Sequence, residues 1–152
     1  MTTKLTKAKA VAGVLLGGSA LCALIFAVNH FQHNSAPLPS PEGVLSNTDR
    51  IAYLQSFGWE VSDSAKETLD LMLPADPSDA FTSYNTIQLD QEMDLTPYCG
   101  KRLMRYTYAV FNYPGRESGV QADLYLDGGT VVAGDILAPG DDGFLAGLRY
   151  PG

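Results

Sequence analysis

The sequence is poor in the residues that cross-link small domains and carry most enzymatic chemistry. Its 152 residues include two cysteines and two histidines. Cys22 lies inside an apolar run and Cys99 far beyond it, so the two cannot form a bridge if that run crosses a membrane. His30 and His33 both lie in a proline-containing stretch, so the rest of the chain lacks the usual general base of serine and cysteine nucleophiles.

Metal and phosphate sites lack their sequence patterns as well. His30 and His33 have no cysteine or carboxylate neighbours at ligand spacing, and there is no Gly-rich phosphate loop, GxSxG elbow or HExxH helix. The Asp141-Asp142 pair lacks the spaced oxygen ligands of a calcium loop. We therefore expect no metal and no cofactor, and we lean towards a protein that is not an enzyme.

Basic residues are scarce and unevenly placed. Three of the ten lysines and arginines precede the apolar run, whereas all 17 acidic residues follow it, which leaves seven basic residues against 17 acidic ones and a net charge of −10 on the later part. Such a charge repels phosphate backbones and anionic headgroups. Nucleic acid is therefore excluded as a partner of this part of the chain.

The one long hydrophobic run lies near the N-terminus. Residues 10–28 contain no charge, and as a helix they would span about 28 Å, close to the thickness of a hydrocarbon core. The lysines before the run all lie within residues 1–9, and the next basic residue is Arg50. By the positive-inside rule, we expect a single-pass protein of the cell membrane, in contact with lipid through 10–28, with a cytoplasmic N-terminus and an extracytoplasmic C-terminal domain.

Three other roles of this run stay open. A cleaved secretory signal would need small residues around the cut, and none are suitably placed. Lipidation of Cys22 would need a small residue where Leu21 stands. Gly13 and Gly17 have the spacing of the close-approach face of a dimerising helix, and through this face the protein could dock onto a partner as a regulatory subunit.

Beyond the run, composition divides the chain into a linker and one domain. Residues 29–46 contain alternating prolines, which favour an extended and semi-rigid backbone. Residues 47–152 are long enough for one compact domain.

Helix and strand signals in the domain alternate. Asn47 as N-cap and Gly58 as the C-terminal stop predict a first helix, and the two-residue period of 67–73 predicts a strand. A second helix is predicted to open at Asp76 and Pro77. A short helical hook closes at Gly100.

Three further strands are predicted to form a meander. The first is the aromatic-rich 101–113, and the next two, 120–127 and 130–137, form a hairpin about Gly128 and Gly129. A helical turn is expected at 144–148. The order α-β-α-β-β-β predicts a two-layer α+β domain, with a mainly antiparallel sheet and the helices on one face.

Several stretches of this domain resemble a known protein family. They are Asn47–Val61, Gly100–Arg102, Arg105–Tyr108 and Asn112–Gly115. Over roughly residues 47–148, the chain resembles a family of uncharacterised bacterial membrane-anchored proteins, of the Gram-positive, clostridial type, that carry a domain of unknown function. The resemblance implies a small surface protein with an N-terminal anchor or signal, and it brings no activity and no catalytic residue.

Tyrosines concentrate on and beside two neighbouring predicted strands. Tyr106, Tyr108, Tyr113 and Tyr125 would form a recognition surface for a protein, peptide or glycan if they were exposed on one sheet face. The alternative is that helices cover them.

Asp135 carries the other site hypothesis. It lies among apolar residues of a predicted strand, and an inward carboxylate must be paired or hydrogen-bonded, for which Arg105 is a natural partner. We interpret the two as a structural pair.

Two functions from different classes follow from these patterns. The first is a non-enzymatic, membrane-tethered binding or interaction module outside the cytoplasm. The alternative is a carboxylate-dependent hydrolase of cell-envelope material, which requires two carboxylates facing each other across a cleft at about 5 to 10 Å.

Overall fold

The computed structural model describes residues 37–151, and helices and strands are numbered here within that range. The first helix, α1, spans Asn47–Ser56, and its N-cap is Ser46 rather than the predicted Asn47. The Ser46 hydroxyl accepts a hydrogen bond from the Asp49 N–H while the Asp49 carboxylate accepts one from the Ser46 N–H, which forms a capping box. Gly58 follows with φ of 98°, the left-handed conformation expected of a helix stop.

The second helix, α2, spans Asp79–Leu89 and begins slightly later than predicted. Ser78 is the N-cap, because its hydroxyl accepts a hydrogen bond from the Phe81 N–H at 3.2 Å. The predicted hook is a 3₁₀ turn at Thr96–Tyr98 that leads to Gly100 in the left-handed region.

Five antiparallel strands form one sheet in the order β1-β2-β3-β4-β5, so the α+β class is confirmed. Their bounds are Glu67–Met72 (β1), Arg102–Val110 (β2), Val120–Asp127 (β3), Thr130–Ala138 (β4) and Phe144–Ala146 (β5). The helical turn expected at 144–148 is wrong, because three residues are too few to show a period and pairing with β4 makes them β5.

The sheet carries an apolar cluster on each face, so the domain has three layers rather than the expected two. Alternate residues of a strand lie on opposite faces. Tyr108 and Leu124 pack with Leu54 of α1, whereas Leu103 packs with Phe81 of α2 in a separate cluster. The two helices therefore cover opposite faces.

The folded part begins before the predicted linker ends. The Val44 N–H donates to Gly129 O at 2.9 Å, and the Val131 N–H donates to Pro41 O at 2.8 Å. Val44 is buried. The last residues of the 29–46 stretch thus belong to the domain.

Across residues 37–151, no helix is both long enough and apolar enough to cross a membrane. The run at 10–28, the tail at 1–9 and both histidines lie outside the described residues.

Candidate functional site

The first two candidate tyrosines are used in packing α1 onto the sheet. Arg50 Nε donates to the Tyr108 hydroxyl at 2.8 Å, and that hydroxyl donates to Asn47 Oδ1 at 2.8 Å. The Arg50 guanidinium also lies over the Tyr106 ring, 3.7 Å from its centroid. Tyr108 is fully buried and Tyr106 is half-buried.

The other two candidate tyrosines, Tyr113 and Tyr125, pack against different apolar clusters. Tyr113 follows β2 and stacks on Phe144, with ring centroids 4.6 Å apart. Tyr125 is opposite Arg105 in the β2–β3 register, so it lies on the α2 face, where it meets the edge of Tyr84. Residue parity therefore separates Tyr125 from Tyr106 and Tyr108, whereas Tyr113 packs against the same apolar cluster as Tyr106, so the four candidate tyrosines do not all share one sheet face.

Asp135 meets a second carboxylate. It is opposite Asp123 in the β3–β4 register, on the α2 face. Both side chains are buried, with 2% and 4% of their surface exposed. Tyr84 of α2 donates to Asp135 Oδ2 at 2.6 Å, and the Thr107 hydroxyl donates to Asp123 Oδ1. Asp135 Oδ1 is buried and has no protein partner within residues 37–151.

Burial controls the protonation of this pair. The pKa of Asp135 is raised to about 7, chiefly by burial; the Tyr84 hydrogen bond and the Arg105 charge oppose this rise, and the nearby Asp123 adds to it. Burial also raises the pKa of Asp123, against the Thr107 hydrogen bond. The pKa of Tyr84 is raised by burial and then by the Asp135 charge.

Facing side chains on neighbouring strands are about 5 Å apart at Cβ, so two ionised carboxylates here would repel strongly. The arrangement favours the neutral, protonated form of at least one of the two carboxyl groups. A hydrolase would need both groups open to substrate, whereas here Tyr84 and α2 cover them. The pair is suited to fastening α2 onto the sheet.

Arg105 does not make the predicted direct pair with Asp135. It lies on β2, two strands away from β4, and its ion pair is with Glu67 of β1. Arg105 acts on Asp135 only through its charge.

The outer edge of β4, from Gly129 to Ala138, is covered by three devices. The 41–44 segment pairs with its start, and β5 pairs with its end. Between them, the backbone of Gly134 is met by two glutamine side chains of and after α2: Gln88 Oε1 accepts from its N–H at 3.0 Å, and Gln91 Nε2 donates to its C=O at 2.7 Å. We call this outer side of the strand, from Gly129 to Ala138, the β4 edge.

Gln91 also reaches past β5. Its Oε1 accepts from the Leu148 N–H at 2.7 Å, and its Nε2 donates to Gln88 Oε1 at 2.8 Å. Both glutamines are buried. A side-chain amide carries one donor group and one acceptor, as a peptide unit does, so Gln91 substitutes for a strand residue between Gly134 and Leu148.

The outer edge of β1 is different, since β1 pairs only with β2 in the described sheet. The Leu73 N–H donates to Lys101 O at 2.9 Å. Because antiparallel hydrogen bonds alternate, the N–H and C=O groups of Thr68, Asp70 and Met72 point away from β2. These groups form what we call the β1 edge.

Apolar side chains border the β1 edge on both faces of the sheet. Leu69 is 41% exposed and Met72 is 62% exposed. The charges of β1 are directed inward along the sheet: Asp70 pairs with Arg102 at 3.1 Å, and Glu67 pairs with Arg105. They therefore do not shield the edge in the way that free charges protect many edge strands.

Sequence reasoning missed both edges. Neither Gln88 nor Gln91 was predicted from the sequence to lie at a sheet edge. In the sequence, their three-residue spacing is that of neighbours on one helix face, which was the available signal. Cys99 is a half-buried thiol, and no group of three potential metal ligands occurs within the described range.

Residues 53–136, more than half of the chain, match the family described as DUF4830, a domain of unknown function. The chain belongs to the DUF4830 family. Comparison with curated proteins and with solved structures gave no match.

The region that matches DUF4830 includes all of the β1 edge but only part of what covers the β4 edge. It contains β1, α2, both glutamines and the Asp123–Asp135 pair. It ends before β5 and begins after the 41–44 segment, so two of the three devices at the β4 edge lie outside it. No activity comes with the family description.

Proposed function

We propose that this protein is a non-enzymatic binding module, tethered to the cell membrane of a Gram-positive bacterium and displayed outside the cytoplasm, whose DUF4830 domain binds an extended peptide segment of a partner protein at the β1 edge. The observation that carries the proposal is the row of outward backbone groups on β1 that has no strand partner within residues 37–151, bordered by exposed Leu69 and Met72.

The chemistry of the edge defines the partner. An added strand would satisfy the outward backbone groups of Thr68, Asp70 and Met72, and its alternate side chains would rest against Leu69 on one face and Met72 on the other. The surrounding net charge of −10 favours a peptide with basic residues around its apolar positions. The Asp123–Asp135 pair takes no part in binding, since it lies beneath α2.

Peptide binding is tested with the full chain purified in mild detergent. A phage-displayed library of random linear peptides supplies ligands, and the best is synthesised for fluorescence anisotropy. Thr68→Pro removes an outward N–H and should weaken binding at least about tenfold, whereas Thr68→Val keeps the N–H and should bind as the native chain does.

Hydrogen exchange gives the second readout. Binding at the β1 edge should slow exchange of the Thr68, Asp70 and Met72 amides and leave Leu71, already bonded to β2, nearly unchanged. Peptides that bind Thr68→Pro and the native chain equally, or that protect amides elsewhere, would overturn the proposal.

The tether follows from the sequence, namely the uncharged run at 10–28 and the lysines before it. Thiol labelling tests it in a background with Cys22→Ser and Cys99→Ser. A membrane-impermeant maleimide added to intact cells should label Ser118→Cys, in the exposed β2–β3 loop, and should label Thr3→Cys only after the cells are broken. The reverse pattern, or labelling of both only after lysis, would contradict the topology.

A further inference from the structure

A surface pocket of about 360 Å³ lies at the opposite side of the domain from the β1 edge. Its lining comes from the end of α2 and from the segment after β5: Ile87, Asp90, Gln91, Ala146, Gly147 and Arg149. The volume lies within the range of small-molecule sites, at its lower end.

The pocket presents two opposite charges that are not used elsewhere. Asp90 and Arg149 are both exposed and both line it. Within residues 37–151 neither makes an ion pair, and their charged atoms are more than 4.0 Å from each other. A gap between unpaired opposite charges fits a ligand that carries both signs.

The α2 helix strengthens the negative side. It ends at Leu89 with Asp90 as its C-cap, and its last turn contains no basic residue. The negative end of the helix dipole is therefore uncompensated and favours a cation at this position. An ammonium group beside Asp90 would gain from both charges.

The floor of the pocket is held in place by hydrogen bonds and close packing. Gln91 is fixed by its bonds to Gly134 and Leu148. Gly147 lies directly against it, since a Cβ at Gly147 would stand 2.8 Å from Gln91 Oε1. Ile87 and Ala146 add apolar surface beside this floor.

We propose that the pocket binds a small zwitterion, a free α-amino acid or dipeptide with an apolar side chain. The ligand carboxylate pairs with Arg149, its ammonium group with Asp90, and its side chain rests on Ile87 and Ala146. This goes beyond peptide binding at the β1 edge, because the two sites share no residue and a free zwitterion is not an added strand.

The test is an NMR titration of the full chain with leucine and with leucyl-leucine. Either zwitterion should shift the amide signals of Ile87, Gln91 and Ala146 with a dissociation constant on the order of 1 mM. N-acetylleucine lacks the ammonium group and leucinamide lacks the carboxylate, so each should bind at least about tenfold more weakly.

Charge-removing variants assign the two ends. Arg149→Gln should weaken leucine binding about tenfold and leave the residual binding of leucinamide, which has no carboxylate, unchanged. Asp90→Asn should also weaken leucine binding about tenfold and should leave the residual binding of N-acetylleucine, which has no ammonium group, unchanged. Arg102→Gln and Asp127→Asn, exposed charges outside the pocket lining, serve as controls and should have no effect.

Three results would overturn the assignment: no shift at these amides up to about 10 mM leucine or dipeptide, equal binding of the blocked forms, or equal losses in the control variants. Thr68→Pro should leave leucine binding unchanged, so failure here is distinct from failure at the β1 edge.

Discussion

The two long outer edges of this sheet, on β1 and on β4, are treated in opposite ways. The β4 edge is covered by the 41–44 segment, by glutamine amides and by β5, and β5 itself is only three residues long. The β1 edge is six residues long and has no partner on its outer side in the described sheet. Natural sheets usually shorten, cover or charge their edges. The same domain applies these devices fully on one side and leaves the other open, which is why we assign binding to β1.

The largest expected effect is at the glutamine that completes the β4 edge. Gln91→Leu removes three hydrogen bonds and leaves the buried Gly134 C=O and Leu148 N–H unpaired. We expect a loss of about 5 kcal/mol in the free energy of unfolding, measured by urea denaturation. Gln55→Leu, at an exposed position of α1, should change it by less than about 0.5 kcal/mol. Equal effects would mean that the side-chain amide does not substitute for a strand residue.

The pH dependence of stability tests how α2 is held over the β4 side. The pKa of Asp135 is raised from 3.8 to about 7 in the folded domain, chiefly by burial. Since the folded state holds this proton more tightly than the unfolded chain, its stabilising contribution is full below pH 4 and is lost as pH rises to about 7. The free energy of unfolding that is lost between these two pH values through Asp135 is on the order of 4 kcal/mol. The raised pKa of Asp123 acts with the same sign.

Two exposed carboxylates, those of Asp49 and Asp94, change the stability with pH in the opposite direction to Asp135, and they do so at lower pH. Hydrogen bonds lower the pKa of Asp49, mainly from Ser46, and that of Asp94, mainly from Asn85, so their contribution is lost as pH falls below 3.8. Stability should therefore be greatest near pH 4. Urea denaturation across pH should show a decline towards pH 7 in the native chain and a flatter profile in Asp135→Asn. The same slope in both chains would exclude Asp135 as the source.

The segment at the start of the β4 edge offers a smaller test. Val44→Ala removes two buried methyl groups from the main core and should lower the free energy of unfolding by about 2 kcal/mol. Leu45→Ala changes the next residue, which is 78% exposed, and should have almost no effect. If thermal denaturation showed no difference between these variants, the segment would be a linker, as its composition first indicated.

The smallest expected effect is at the open edge. Thr68→Pro removes an N–H that points away from β2 and should cost less than about 1 kcal/mol in the free energy of unfolding, measured by urea denaturation. Leu69→Pro removes an N–H directed at β2 and should cost about 3 kcal/mol or more. Similar costs at the two positions would show that the edge register differs from the one described.

Much of the fold could be predicted because local signals suffice for it. Gly58 and Gly100 take the left-handed conformation expected of stops, and the β3–β4 hairpin follows from alternation around Gly128 and Gly129. Errors arose where neighbouring residues compete for one role. Ser46 and Ser78 cap the helices instead of Asn47 and Asp76, because the geometry of the entering chain selects among several suitable caps.

The candidate site was less predictable, since it depends on distant pairs. Asp135 was identified as an inward carboxylate, but its partners Asp123 and Tyr84 come from another strand and from α2. The tyrosines were identified by type, and only the register separates Tyr106 and Tyr108 from Tyr125.

The sequence by itself determined the charge asymmetry, the apolar run, the α+β class and the position of most strands, because composition and local periodicity are properties of neighbouring residues. Tertiary structure alone decided which sheet edge is open, which face each tyrosine occupies, and that Gln91 completes the β4 edge. Those outcomes depend on hydrogen bonds between residues far apart in the chain, and a backbone group without such a partner has no signature in the sequence.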